Sequence, residues 1–125
     1  MALPPGIGTI TIETRTEDTN GTLKLFKCSF AGDASYRTGG TAGVQTDLRA
    51  AIATAAAAAG DANVRGPEAV TIVDVIPGDC GDYRPCWDFA NQKLKVLEGG
   101  DPTWDEVSPG SALFGTTFHV TFVTV

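Results

Sequence analysis

FGTTFHVTFVTV, residues 114 to 125, carries the clearest structural signal in the sequence. Apolar and polar side chains alternate along it, which is the period of a β-strand with one buried face. We therefore predict a strand whose phenylalanines face a core, while His119, the one histidine of the chain, lies on the polar face between threonines. The apolar set is Phe114, Phe118, Val120 and Phe122, and the polar set is Thr117, His119 and Thr121.

Several other short segments have the composition of strands, being rich in β-branched and aromatic residues and bounded by turn-forming residues. One of them, TLKLFKCSF, is apolar on both faces, which predicts a central strand that is covered on two sides. About six to eight strands at turn spacing favour an antiparallel sandwich, jelly roll or barrel. The segments are TITIETRT (9–16), TLKLFKCSF (22–30), EAVTIVDVIPG (68–78), YRPCWDF (83–89) and KLKVLEG (93–99).

An alanine-rich segment between the second and third strands predicts one helix over residues 47–59. Thr46 is suited to cap its first amides, and Gly60 is suited to the left-handed position that ends a helix. Leu48 and Ile52 lie four residues apart and should form its buried side. The predicted fold class is thus all-β and mainly antiparallel, a β-sandwich or jelly-roll-like domain with one inserted alanine-rich helix.

Length and charge narrow the classes of function. A chain of 125 residues predicts a single β domain over residues 1–125. The net charge of −6 and the absence of a cluster among the 9 basic residues argue against nucleic-acid binding. No stretch is long and apolar enough to suggest a membrane partner, and the N-terminus lacks the pattern of a secretion signal, so we expect a protein made and kept in the cytosol or in an assembly built there.

Few residues suggest chemistry. His119 has no second histidine to share a metal, and no nucleophile motif is present. The acidic run DCGDYRPCWD (79–88) lacks the spacing of a calcium loop, and RTGGTAG (37–43) lacks the lysine of a phosphate-binding loop. The 3 cysteines, Cys28, Cys80 and Cys86, have no metal-ligand spacing, and they are read as buried thiols or, alternatively, as a Cys80–Cys86 loop. We predict no catalytic, cofactor-binding or metal-binding residue, no cofactor and no enzyme activity.

The segment YRPCWDFANQKLKVLEGG (83–100) predicts a β-hairpin. Asp88 and Asn91 flank its turn, and Asn91 is suited to the left-handed conformation that a reversal needs. The strand period assigns its apolar and charged side chains to opposite faces. Trp87 and Phe89 share one face, Leu94 and Val96 share one, and Lys93 and Lys95 point outward.

This hairpin, together with FAGDASYRTGGTAG (30–43) and the final phenylalanine-rich strand, resembles small structural proteins of tailed bacteriophages. The similar pieces cover residues 22–43, about 70–98, and 114–125. The proteins concerned are of the head decoration, or cement, type, which have antiparallel sandwich or jelly-roll folds and bind the outside of an icosahedral capsid as oligomers. The alanine-rich helix departs from that pattern, where a short connection is expected.

The resemblance implies a non-enzymatic virion protein on the capsid exterior, assembled in the host cytoplasm, that binds the major capsid protein and itself as a homodimer or homotrimer. Candidate contacts are Leu3, Pro4 and Pro5, in an extended arm of residues 1–6, and the aromatic Trp104. Two alternatives remain open. One is a phage tail or baseplate component, and the other is a small carbohydrate-binding β-barrel that uses Trp104 and Tyr83 as stacking platforms.

Overall fold

The computed structural model describes residues 6–17, 23–58, 70–99 and 104–125. These residues form two antiparallel sheets and one helix, which confirms the predicted all-β fold with an inserted helix. No helix in the described ranges has the length and apolar character to cross a membrane. In chain order the elements are β1 (Thr11–Glu17), β2 (Lys24–Ala31), α1 (Val44–Ala58), β3 (Ile72–Pro77), β4 (Tyr83–Asp88), β5 (Lys93–Gly99), β6 (Trp104–Glu106) and β7 (Thr117–Thr124).

Sheet A has the strand order β1-β2-β7-β3, and β7 lies at its centre between β2 and β3. The alternation predicted for β7 is present, because Phe118, Val120 and Phe122 are buried whereas His119 and Thr121 are not. Phe114 is an exception, since it precedes the strand and its side chain is 56% exposed. The pattern misplaced it because its spacing from Phe118 continues the period of two across a turn at residues 115–116.

β2 is central in sheet A, as predicted, but it is not covered on both faces by the described residues. Phe26, Cys28 and Phe30 point into the core, whereas Leu25 is half-buried and Leu23 is 40% exposed. The face of sheet A that carries Leu25 is therefore open, and we call it the outer face.

Sheet B is a three-stranded meander in the order β4-β5-β6. Leu94 and Val96 on β5 are buried against the core, as the hairpin pattern predicts. β6 was not among the predicted strands, and its residues Trp104–Glu106 pair with the end of β5. A strand of three residues is too short for any periodicity to reveal.

α1 begins at Val44, three residues before the predicted start at residue 47. The Gly43 carbonyl accepts the first helical hydrogen bond from the Asp47 amide at 3.0 Å, so Gly43 rather than Thr46 holds the capping position. Leu48 and Ile52 are buried, as predicted. Gly60 lies outside the described residues.

Two side chains of α1 connect the helix to the beginning of β3. The Ile72 amide donates to Gln45 Oε1 at 2.8 Å, and Arg49 Nε donates to the Val70 carbonyl at 2.9 Å. The alanines keep the helix face toward β1 thin and leave a groove of about 640 Å³ between α1 and residues 7–12.

One hydrophobic core connects the sheets, the helix and the loops. Phe30 lies between Phe118 and Phe122, with ring centroids 5.8 and 6.1 Å apart. Each fully buried phenylalanine stabilises the fold by about 1.5–3 kcal/mol through burial. The buried aromatic residues of sheet A thus form much of the hydrophobic core. The loops at the edge of the sheets pack against this core.

Candidate functional site

The long loop between β2 and α1, residues 32–43, is held rigidly against sheet B by Tyr36. This side chain is completely buried. Its hydroxyl donates to Glu106 Oε2 at 2.6 Å and accepts from the Val96 amide at 3.2 Å. The same carboxylate oxygen also accepts from the Gly39 amide at 2.7 Å. Glu106 on β6 therefore binds the loop at two points.

The geometry of this contact changes the acidity of both groups. Hydrogen bonds from the Tyr36 hydroxyl and the Gly39 amide, with the charge of Lys95, hold the pKa of Glu106 below its ordinary value despite partial burial. Burial, with the neighbouring carboxylate, raises the pKa of Tyr36. The pair is therefore a neutral phenol donating to a charged carboxylate, which is a stronger hydrogen bond than one between two neutral groups.

Asp33 holds the beginning of the same loop in place by hydrogen bonds. Its buried carboxylate accepts from the Gly6 and Ser35 amides, both at 2.9 Å, and from the Thr41 hydroxyl at 2.6 Å. Thr41 in turn exchanges backbone hydrogen bonds with Leu94 on β5, at 2.8 and 2.9 Å. Sequence patterns could place Asp33 in a loop but could not reveal that it joins residue 6 to residue 41.

Gly40, the second of the paired glycines in the loop, has a steric purpose. Gly40 has a φ of 110°, and a Cβ atom there would stand 2.8 Å from the Leu94 carbonyl oxygen. Only glycine allows the backbone to pass so close to β5 in this conformation. The loop is consequently packed onto the sheet.

A polar pocket of about 320 Å³ opens on the outside of this loop. Two basic side chains, Arg37 and Lys93, line it, and neither forms an ion pair with any residue in the described ranges. We call the exposed and half-buried residues around it the loop surface. It comprises Gly6, Arg37, Thr38, Ala42 and Lys93.

The predicted arm contacts Leu3, Pro4 and Pro5 lie outside the described residues. Gly6, the first described residue, is bound to Asp33 and lines the pocket of the loop surface. Gly6, the last residue of the predicted arm, therefore lies at the loop surface.

Trp104, the other predicted contact, is elsewhere. It pairs with Gly99 at the end of β5, and Lys93 stands at the beginning of that strand. Six residues of strand rise separate the two ends by roughly 20 Å. Trp104 therefore lies far from the Lys93 end of the loop surface.

The surroundings of Trp104 also bear on the carbohydrate alternative. Its ring is 39% exposed, and the Arg84 guanidinium lies 5.9 Å from the ring centroid. Tyr83 faces the other way, with its ring stacked on Phe118 at 5.9 Å between centroids. The two aromatic rings do not form a common platform on which a sugar could stack.

The hairpin turn is held by the two residues predicted to flank it. Asn91 donates to Asp88 from its backbone amide at 3.3 Å and from Nδ2 at 2.9 Å, and the latter bond is the main reason that the pKa of Asp88 is lowered. The left-handed residue is Gln92, with a φ of 54°, and not Asn91 as predicted. Phe89 is in the turn and 56% exposed, so it does not share the face of Trp87. Asp88 and Asn91 shape the turn.

His119 lies on the outer face of sheet A and has a carboxylate neighbour that the sequence did not reveal. Its Nδ1 is 3.6 Å from Glu13 Oε1, and the two side chains border a pocket of about 380 Å³ with Lys27 and Asp79. Glu13 reaches this position because the register of β1 shifts between Ile12 and Thr14. A β-bulge of this kind has no signal in the strand period.

The three cysteines are free thiols, so Cys80 and Cys86 are not joined. Cys28 is fully buried in sheet A, and burial raises its pKa to about 12. Within the described ranges, no group of three or more histidine, cysteine, aspartate or glutamate side chains is arranged to hold a metal ion.

Comparisons with known proteins return no match, whether with family models, curated proteins or solved structures. The resemblance to phage decoration proteins therefore rests on the sequence segments alone.

Proposed function

We propose that this chain is a non-enzymatic virion structural protein, a capsid decoration protein that binds the major capsid protein on the outside of an assembled phage head. The observation that carries the proposal is the loop surface. Its loop is fixed by Asp33, Tyr36 and Glu106, and two basic side chains project beside it.

A fixed loop is suited to binding because its ordering cost is met during folding, before the partner arrives. The buried carboxylate of Asp33 and the Tyr36–Glu106 pair are engaged by the fold itself. Their hydrogen bonds hold the backbone, which leaves Arg37 and Lys93 to meet a partner.

Charge indicates the kind of partner surface. The chain carries a net charge of −6, so most acidic partners are repelled at a distance. Arg37 and Lys93 form a local exception, because these two cations line one pocket in which the buried Asp33 is the single acidic residue. An acidic patch on the outer surface of a capsid subunit would complement this pocket.

Because a capsid repeats the same subunit many times, weak contacts to each subunit are sufficient for stable binding. An oligomer that engages several subunits gains avidity through effective concentration, without any single strong contact. A protein that binds the assembled lattice and not the free subunits also stabilises that lattice by mass action.

The test mixes purified protein with mature bare capsids and counts the bound copies per shell after sedimentation. Saturable binding is expected, and Arg37→Gln and Lys93→Gln should each weaken it about fivefold, as expected for loss of an ion pair worth about 1 kcal/mol. Thr54→Glu on exposed α1 lowers the net charge by the same one unit and should bind as the natural protein does.

Absence of binding at capsid excess would disprove the proposal. Binding to purified tails, with none to heads, would favour the tail alternative. Equal weakening by Thr54→Glu would show that net charge, and not the loop surface, determines the affinity.

A further inference from the structure

We propose that the outer face of sheet A is a self-association surface, on which two copies of this chain pack face to face about a two-fold axis. The inference deepens the self-association part of the proposed function by locating the interface. The outer face comprises Glu13, Thr14, Thr16, Leu25, Lys27, Ser29, Asp74, Ile76, His119, Thr121 and Val123, with Leu23 and Val125 at one end.

One half of this face is mainly apolar, with Thr16 and Asp74 at its two sides. Leu25 pairs directly with Val123 across β2 and β7, and both are half-buried. Around them, Leu23, Ile76 and Val125 are exposed by 40%, 51% and 52%. Single exposed apolar residues are common, but a contiguous group on the flat face of a sheet is typical of a covered surface.

The other half of the face carries charges of both signs, and this argues for a second copy as the occupant. The cation Lys27 lies beside the acids Glu13 and Asp79, and His119 borders the same pocket. In a two-fold interface each patch meets itself, so attraction requires that a cation and an anion belong to the same patch. Elsewhere a chain of net charge −6 tends to repel its own copies.

The area indicates how strong such a dimer would be. Strands lie about 4.8 Å apart and rise about 3.3 Å per residue, so four strands of about seven residues present roughly 440 Å². Two copies would bury roughly 900 Å² in total, which is below the 1,200–2,000 Å² of standard stable interfaces. A reversible dimer with a dissociation constant in the micromolar range is therefore expected.

Sedimentation velocity across about 1–500 µM protein tests this inference. The natural protein should pass from monomer to dimer within that range. Val123→Lys, which places a charge at the centre of the apolar half, should raise the dissociation constant at least tenfold. Ile76→Lys should do the same at a side chain that is 51% exposed and so less important for folding.

The matched control is Phe89→Lys. Phe89 is 56% exposed in the hairpin turn, outside the outer face, and its substitution should leave the dissociation constant unchanged. The inference is overturned if the natural protein stays monomeric at the highest concentration, or if both outer-face variants dimerise as the natural protein does. Capsid binding by such a monomer would leave the proposed function intact, so the two failures are distinguishable.

Discussion

Replacing Tyr36 with phenylalanine removes a single oxygen atom from the interior, and it should be among the most destabilising single changes in the loop. The ring stays completely buried and keeps its apolar contacts. Two hydrogen bonds are lost, one to Glu106 Oε2 at 2.6 Å and one from the Val96 amide at 3.2 Å. The effect is therefore almost purely one of hydrogen bonding.

The expected magnitude follows from the two partners. A hydrogen bond to a charged acceptor contributes about 1.5–3 kcal/mol, and a buried amide left without an acceptor costs about 1–3 kcal/mol. Allowing for partial access of water to Glu106, which is half-buried, we expect a loss of about 3 kcal/mol in the free energy of unfolding. For a chain of 125 residues this lowers the melting temperature by about 11 °C.

Urea unfolding followed by circular dichroism measures this difference, and the chain offers its own control. Tyr83 is the other tyrosine, and its hydroxyl makes no hydrogen bond to the described residues. Tyr83→Phe should therefore change the free energy of unfolding by less than about 0.5 kcal/mol. A Tyr36→Phe effect as small as that of Tyr83→Phe would refute the proposed role of the Tyr36 hydroxyl.

The dependence on pH provides a second test of the same contact. The pKa of Glu106 is lowered in the folded state, so below its ordinary value of 4.5 the unfolded state binds more protons than the folded state. The stabilisation is complete above that pH and is lost as the pH falls through the lowered pKa. Glu106→Gln keeps an acceptor oxygen but does not titrate. Its free energy of unfolding should be lower than that of the natural protein at pH 6, and this difference should become smaller as the pH falls to 3. A constant deficit over that range would contradict the assignment.

Two further predictions concern backbone space and thiol burial. Gly40→Ala should lower the free energy of unfolding by at least about 2 kcal/mol, because its Cβ would meet the Leu94 carbonyl. Gly39→Ala has open space and should lower it by only about 1 kcal/mol, through backbone strain. Equal losses in urea unfolding would exclude the steric explanation. Ellman's reagent at pH 8 should label native protein mainly at half-buried Cys86, since burial raises the pKa of the Cys28 thiol to about 12. Rapid labelling of native Cys86→Ser protein would contradict the burial of the other thiols.

The strands of this protein could be predicted from sequence where the alternation was long. β7 and the hairpin strands β4 and β5 are such cases, and their buried sets contain Phe118, Leu94 and Val96 as expected. The helix was predicted with a late start, because Thr46 has the chemistry of a cap while the backbone places Gly43 there. The capping preference of Thr46 predicted one start of the helix, and the tertiary structure places the start at Val44 instead.

The contacts that define the loop surface could not be predicted. Tyr36 and Glu106 are separated by 70 residues, and Gly6 and Asp33 by 27. No local pattern encodes which loop side chain meets which strand, since that depends on the order of strands within the sheets. The same reason explains why the neighbour of His119 was missed.

The pairing of β2 with β7 has a consequence for how the molecule is made. Thr124 Oγ1 donates to the Lys24 carbonyl at 3.0 Å across 100 residues of chain, at the centre of sheet A. A ribosome releases residue 24 long before residue 124, so sheet A cannot close during synthesis until β7 has also emerged. Until then β2 has an unpaired edge on that side, and closing so long a loop is slow. Closure of sheet A should therefore wait for the synthesis of β7, and it should be sensitive to chaperone supply and crowding of nascent chains.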